Sequence, residues 1–266
     1  MHFPVYIHIG SLVIHPHVLF ESLAYFIGFR IYLWTRRKTE IPSKNMFWVI
    51  VGAAVGAALG SKLLYWFENP SILISFWDHG KELLGGKTIV GGLLGGLIGV
   101  ELAKKWVGIT RSTGDDFAFP LLIAIAIGRI GCFLTGLDDH THGIPTDWIT
   151  GFDYGDGIPR HPTQLYEIGF LSLFVILLFL IKKVRNRRSQ PLPDGAIYQW
   201  SMFGYLFFRF WVDFIKPTPH LYLGMNNIQV ACVLGMMYFI FVYKPQKPQE
   251  QAIKSNTYRE GKPNSL

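Results

Sequence analysis

The chain has 266 residues, half of them hydrophobic, with 25 Lys plus Arg against 18 Asp plus Glu and a mean hydropathy of +0.28. The apolar half is gathered into long runs and the basic excess lies at the ends of those runs, which excludes a nucleic-acid-binding module and a disordered chain. Two cysteines in separate apolar runs, Cys132 and Cys232, exclude a disulfide framework.

Seven runs of roughly 20 residues follow one another, each long enough as a helix to cross a hydrocarbon core of about 30 Å. The first, near His17–Trp34, holds Glu21 and Arg30. No Lys or Arg precedes it, so the basic n-region of a cleavable signal is missing and this span is expected to stay in the membrane. The second and third, Met46–Phe67 and Thr88–Trp106, carry glycine ladders: Gly52, Gly56 and Gly60, then Gly91, Gly95 and Gly99. Four-residue spacing places small residues on one helix face and lets two backbones approach. The "GGKT" at Gly85–Thr88 is not a phosphate loop, which would need glycine where Lys81 stands. Lys62 and Glu101 sit within reach of span ends, where they can snorkel or pair.

The fourth run, Phe117–Leu134, contains "AIAIGRIGCFLTG" with Arg129 in its middle. A buried arginine costs about 2.5–3.5 kcal/mol on insertion scales. No acidic residue stands three or four positions away, so its partner comes from another span or from an anionic ligand. Cys132 reads as a small packing residue. The loop Thr135–Thr163 gathers Asp138, Asp139, His140, His142, Asp147, Asp153, Asp156, Arg160 and His161. Its "DDHTHG" has the donor types for zinc or manganese, but His-x-His beside two Asp is weak, and an ordinary solvated loop is the expectation. The fifth and sixth runs, Gln164–Ile181 and Ala196–Ile215, carry Glu167 and the pair Arg209 and Asp213, one helical turn apart. The seventh is Asn227–Tyr243, and the polar tail 244–266 reads as mobile.

Alternate loops hold 17 Lys and Arg on one side and 4 on the other. By the positive-inside rule the amino terminus is outside, the carboxyl terminus cytoplasmic, and the 135–163 loop an external head. The fold class is all-α: residues 1–243 form a seven-helix transmembrane domain. Arg129, Arg160 and His161 are expected to converge at its outer half. Arginine binds phosphate as a bidentate fork, and the abundant phosphates at that depth belong to lipids.

The residues "GRIGCFLTG", "GIPT", "PRHPTQLYE", "FRFWVDF" and "VGGLLGGLIGV" resemble, in order and spacing, the prolipoprotein diacylglyceryl transferase family. The resemblance implies a bacterial inner-membrane enzyme with its active site facing the periplasm. Such enzymes move diacylglycerol from phosphatidylglycerol to the cysteine thiol of a lipoprotein precursor, releasing glycerol phosphate. Arg129 matches the signature arginine, Gly143 the glycine closing the signature, and Arg209 the arginine of the sixth span. Asp213 stands where the family usually has glutamate. The arginines would neutralise the departing phosphate, and the thiol must lose its proton. The chain departs from the family pattern at Val90 (histidine), Cys132 and Thr135 (asparagines) and Leu137 (glutamate), and Glu21 aligns with a tyrosine. The base is therefore sought among Glu21, Asp138, Asp139, His140, His142 and His161.

The expected catalytic set is Arg129, Arg209, His161 and Glu21. The expected substrate-binding set is Arg129, Arg160, Gly143, Asp213, Asp138, His140 and His142. Partners are phosphatidylglycerol or another anionic phospholipid and a lipoprotein precursor; neither a cofactor nor a metal is expected. Two alternatives stay open: a different lipid-headgroup transfer or hydrolysis, and a non-catalytic lipid or lipoprotein binder.

Overall fold

The computed structural model describes residues 3–36, 43–69 and 86–247. The tail after Lys247, most of the loop between the second and third runs, including Lys81 and Gly85, and residues 37–42 lie outside that range. The chain is mostly helical, and every predicted run is a helix. These are α1 (Pro16–Thr35), α2 (Ser43–Glu68), α3 (Ile89–Val107), α4 (Asp115–Thr135), α5 (Thr163–Arg187), α6 (Ala196–Val212) and α7 (Asn227–Met237). A 3₁₀ turn, Asp213–Ile215, extends α6, and a π turn, Tyr238–Val242, extends α7.

Among the described residues, three helices are long and apolar enough to cross a membrane: Lys44–Glu68, Asp115–Asp139 and Thr163–Arg187, each of 25 residues. Their outward side chains are large and apolar; Leu173, in the middle of α5, is 71 % exposed. Water would penalise so much exposed hydrocarbon, whereas lipid does not. Trp34 and Trp106 stand exposed at the last turns of α1 and α3.

The contacts divide the chain into two compact units. The first comprises 1–36, 111–202 and 241–266. Its core is the packing of α1 along α4, with α5 on α4. Gly28 lets Ala124 approach; a Cβ there would lie 3.1 Å from the alanine methyl. The Tyr32 and Phe117 rings stack at 4.7 Å. Asp115 caps the start of α6 from a distance, accepting from the Gly195 and Tyr198 N–H groups at 2.8 and 2.9 Å. A carboxylate there satisfies orphan donors and meets the positive end of the helix dipole.

Two small ribbons in this unit depart from the all-helical expectation. β1 (Ile7–Ile9) and β2 (Leu12–Ile14) pair antiparallel with Ile9 opposite Leu12, joined through Gly10 at φ +62°. The alternation of "IHIGSLVI" about a glycine is a hairpin signal. In the head, β3 (Phe152–Asp153) pairs with β4 (Pro159–Arg160). An aromatic cluster of Phe3, Phe133, Phe152 and Tyr154 holds that ribbon to the end of α4.

The second unit comprises 37–110 and 203–240. Its core is α2 against α3, and the ladders meet as their spacing predicts. A Cβ on Gly56 would stand 2.3 Å from the Gly95 carbonyl oxygen, and one on Gly99 2.1 Å from that of Gly52. The helices touch backbone to backbone, which any larger residue prevents. Thr88 caps α3 by accepting from the Gly91 N–H. Asn226 and Gln229 form a capping box on α7. Lys62 donates to the Gly86 carbonyl at 2.8 Å, and Glu101 pairs with Lys104 at 3.0 Å, as expected for charges near helix ends.

Candidate active site

Arg129 lies two turns before the end of α4, and Glu167 in the first turns of α5. Because α4 packs on α5, the two meet: Arg129 Nε is 2.8 Å from Glu167 Oε2, with the side chains 6 % and 2 % exposed. The cation that had no acidic neighbour on its own helix thus takes a carboxylate from "QLYE" on another. Burial of both charges demands such a partner for each.

A second group adjoins this pair. Arg129 Nη1 approaches Cys132 Sγ at 3.6 Å. Cys132, His17 and Asp139 place one donor atom each within 4.8 Å of the other two. They come from three places: the last turn of α4, the first turn of α1, and the 3₁₀ turn Gly136–Asp139. Cys132 is therefore a polar participant and not only a packing residue. His17 Nδ1 stands 2.8 Å from Asp139 Oδ1, and its Nε2 is 3.5 Å from Glu21 Oε2.

A directed hydrogen-bond chain supports Asp139. Tyr154 donates to Gln164 Oε1 at 2.9 Å, Gln164 Nε2 to Thr141 Oγ1 at 3.0 Å, and Thr141 Oγ1 to Asp139 Oδ2 at 2.6 Å. Burial pushes the Tyr154 phenol up to about 12, so it remains a donor. Thr163 anchors the same loop by donating to the Thr141 carbonyl. One network thus runs from Glu167 through Arg129 and Cys132 to His17, Asp139 and Glu21. Side chains joined in such a network hold one another in position.

The other expected residues distribute as follows. His161 is buried; its Nδ1 meets the Tyr166 hydroxyl at 3.1 Å, and its backbone pairs with Gly143 and Ile144. Gly143, also buried, donates its N–H to the His161 carbonyl at 2.8 Å, so "HGIP" and "RHP" are laced together. His142 lies against Tyr154, ring centroids 6.2 Å apart. Asp138 and His140 are exposed, the latter at φ +53°. Arg160 is bound within its own hairpin by Asp156 at 2.7 Å, and that contact holds the Asp156 carboxyl down to about 2. Arg209 and Asp213 pair one turn apart at 2.8 Å, 4 % and 0 % exposed, with Lys216 Nζ 3.7 Å from the same oxygen.

Among the described residues, the group with metal-binding donors is thus His17, Cys132 and Asp139, not the two histidines of "DDHTHG". His17, Thr141, Tyr154, Gln164 and the role of Glu167 were not legible in the sequence. The available signals were the "HPH" entrance to α1 and an unpaired carboxylate in a long apolar run.

The family model described as prolipoprotein diacylglyceryl transferase matches residues 4–244. The chain is similar to the phosphatidylglycerol–prolipoprotein diacylglyceryl transferase of Nitrosomonas europaea, 27 % identical over 97 % of each chain. It is 32 % identical to that of Methylobacillus flagellatus over 86 % of this chain and 88 % of the relative. It is 33 % identical to that of Bordetella parapertussis over 84 % and 85 %.

Proposed function

The chain belongs to the prolipoprotein diacylglyceryl transferase family, and from that membership we propose that it transfers a diacylglyceryl group from phosphatidylglycerol to the cysteine thiol of a lipoprotein precursor. The supporting observation in the structure is the buried Arg129–Glu167 pair, which abuts the group of Cys132, His17 and Asp139. A cation for the phosphate and polar groups able to handle a thiol stand side by side.

The reaction is a displacement at carbon. The acceptor sulfur, as thiolate, attacks the terminal glycerol carbon of the diacylglycerol moiety. The S–C bond forms as the bond from that carbon to the phosphate oxygen breaks. The electron pair leaves with the oxygen, and glycerol phosphate departs. Charge grows on the phosphate as this happens, so a guanidinium already oriented there lowers the barrier. Glu167 holds Arg129 in that orientation. Arg209, the other arginine of the expected catalytic set, is held by Asp213 within the second unit. Displacement at carbon needs alignment of sulfur, carbon and oxygen, which side chains holding one another in position supply.

Glu21 and His161 support the reacting groups: Glu21 through His17, His161 through Tyr166 and Gly143. Arg129, Arg160, Gly143, Asp138, His140 and His142 are the proposed substrate-binding residues of the first unit, and Asp213 that of the second. Seven membrane spans, with the head outside and residues 244–266 cytoplasmic, fit the 17-to-4 basic asymmetry. The enzyme then works at the outer face of a bacterial inner membrane.

The test is reconstitution with phosphatidylglycerol and a peptide bearing a lipobox cysteine. The expected result is glycerol phosphate release matched by peptide lipidation, abolished in Arg129→Ala while the protein still inserts. No transfer beside an active family control, or full activity in Arg129→Ala, overturns the reading.

A further inference from the structure

From the Cys132, His17 and Asp139 cluster we infer that this chain carries a zinc site whose fourth position receives the acceptor thiol. The inference rests on the transferase reading for its substrate, but the metal site itself stands on geometry.

The donor set is one thiolate sulfur, one imidazole nitrogen and one carboxylate oxygen. Zinc accepts all three, and three protein ligands with one open position is the arrangement of catalytic rather than structural zinc. Tetrahedral zinc with bonds of about 2.0–2.3 Å needs ligand atoms roughly 3.3–3.8 Å apart. The three donors already lie within 4.8 Å of one another, about 1 Å wider than a closed zinc site needs. The 2.8 Å His17–Asp139 contact opens slightly as the ion takes the place of the shared proton.

The surroundings are those that a metal ligand needs. A ligating histidine turns its other ring nitrogen to a carboxylate or carbonyl, and a ligating carboxylate is itself hydrogen-bonded. His17 presents Nδ1 to the cluster and Nε2 to Glu21, 3.5 Å away. Asp139 presents Oδ1 to the cluster, while Oδ2 accepts from Thr141, which Gln164 and Tyr154 back in turn. Both ligands are thus aimed by groups that leave their inner atoms facing one another. Arg129 Nη1 lies 3.6 Å from Cys132 Sγ and can donate a hydrogen bond to a sulfur held by the ion.

The chemistry suits the reaction. One thiolate and one carboxylate cancel the charge of the dication, so a second thiolate entering the fourth position stays electron-rich. Coordination deprotonates the incoming thiol, and its proton passes to solvent. The sulfur then attacks the glycerol carbon, the carbon–oxygen bond breaks, and the phosphate leaves with the electron pair. Zinc keeps its oxidation state throughout.

The experiment uses the full chain purified in nanodiscs. Metal analysis of the wild type is expected to give about one zinc per chain. His17→Ala, Cys132→Ser and Asp139→Asn are each expected to lose it. Glu21→Gln is expected to weaken binding about tenfold, as an outer partner does. Cobalt exchanged into the wild type is expected to show a sulfur-to-cobalt charge-transfer band. That band grows when a lipobox cysteine peptide is added and not when its serine analogue is. The cobalt arm needs no variant, so misfolded variants do not blunt it. A wild type that binds neither ion overturns the inference, as does a covalent lipid adduct on Cys132 in metal-free protein, which makes that residue a nucleophile. Transfer that continues in chelated, zinc-free protein sinks the metal site and leaves the transferase standing. A cobalt band without transfer to any peptide keeps the metal site and removes the transferase.

Discussion

Replacing Glu167 by Gln keeps the shape and one acceptor but removes the charge that Arg129 faces at 2.8 Å. With charge centres about 4 Å apart and an effective dielectric near 20, the lost attraction is about 4 kcal/mol. Removing one member of a buried pair typically costs about 3–5 kcal/mol, because the other charge is left uncompensated. The retained amide oxygen places Glu167→Gln near the lower figure, about 3 kcal/mol, measured by equilibrium unfolding in mixed micelles. If Glu167 also orients Arg129 for the phosphate, an equal loss in the transition state slows glycerol phosphate release roughly 100-fold. The double variant Arg129→Gln with Glu167→Gln separates the two effects. Its neutral pair restores stability to within about 1 kcal/mol of wild type, yet transfer is abolished because the arginine is gone. Unchanged stability and rate in Glu167→Gln, or an active double variant, refutes the reasoning that this ion pair both sustains and positions the arginine.

Three further outcomes follow from other parts of the molecule. Gly56→Ala drives a methyl to 2.3 Å from the Gly95 carbonyl and is expected to lose about 1–3 kcal/mol in thermal unfolding, whereas Gly128→Ala, with nothing within 4 Å, is neutral or mildly stabilising. Asp115→Ala strips the Gly195 and Tyr198 amides of their acceptor, and a loss of about 1–2 kcal/mol with faster hydrogen exchange at the start of α6 is expected. Arg160 holds the Asp156 carboxyl at about 2 against an ordinary 3.8. Because the folded value is the lower, the ordering of the head hairpin is complete above about pH 4 and is lost as pH falls through about 2. Limited proteolysis across that range checks it, and Asp156→Asn is expected to show a flat profile.

Much of this was legible because it is local. An apolar run of sufficient length is a helix wherever its backbone must satisfy itself, so α1 to α7 coincide with the seven predicted runs. Residues four apart share a helix face, so the glycine ladders and the Arg209–Asp213 pair were written in their spacing. The basic asymmetry of the loops is likewise a property of composition alone.

Tertiary packing decided the site. Glu167 becomes the partner of Arg129 only because α5 lies on α4, and no spacing rule connects them. His17, Cys132 and Asp139 sit in separate elements, and their donors converge only when α1 packs along α4 and the 3₁₀ turn folds over its end. Hydropathy and helical period act over one or two turns, whereas contact between distant segments depends on how whole helices bury their surfaces. The amino-acid order therefore determined the helices and which charges lipid would not tolerate bare. Only the fold chose their partners.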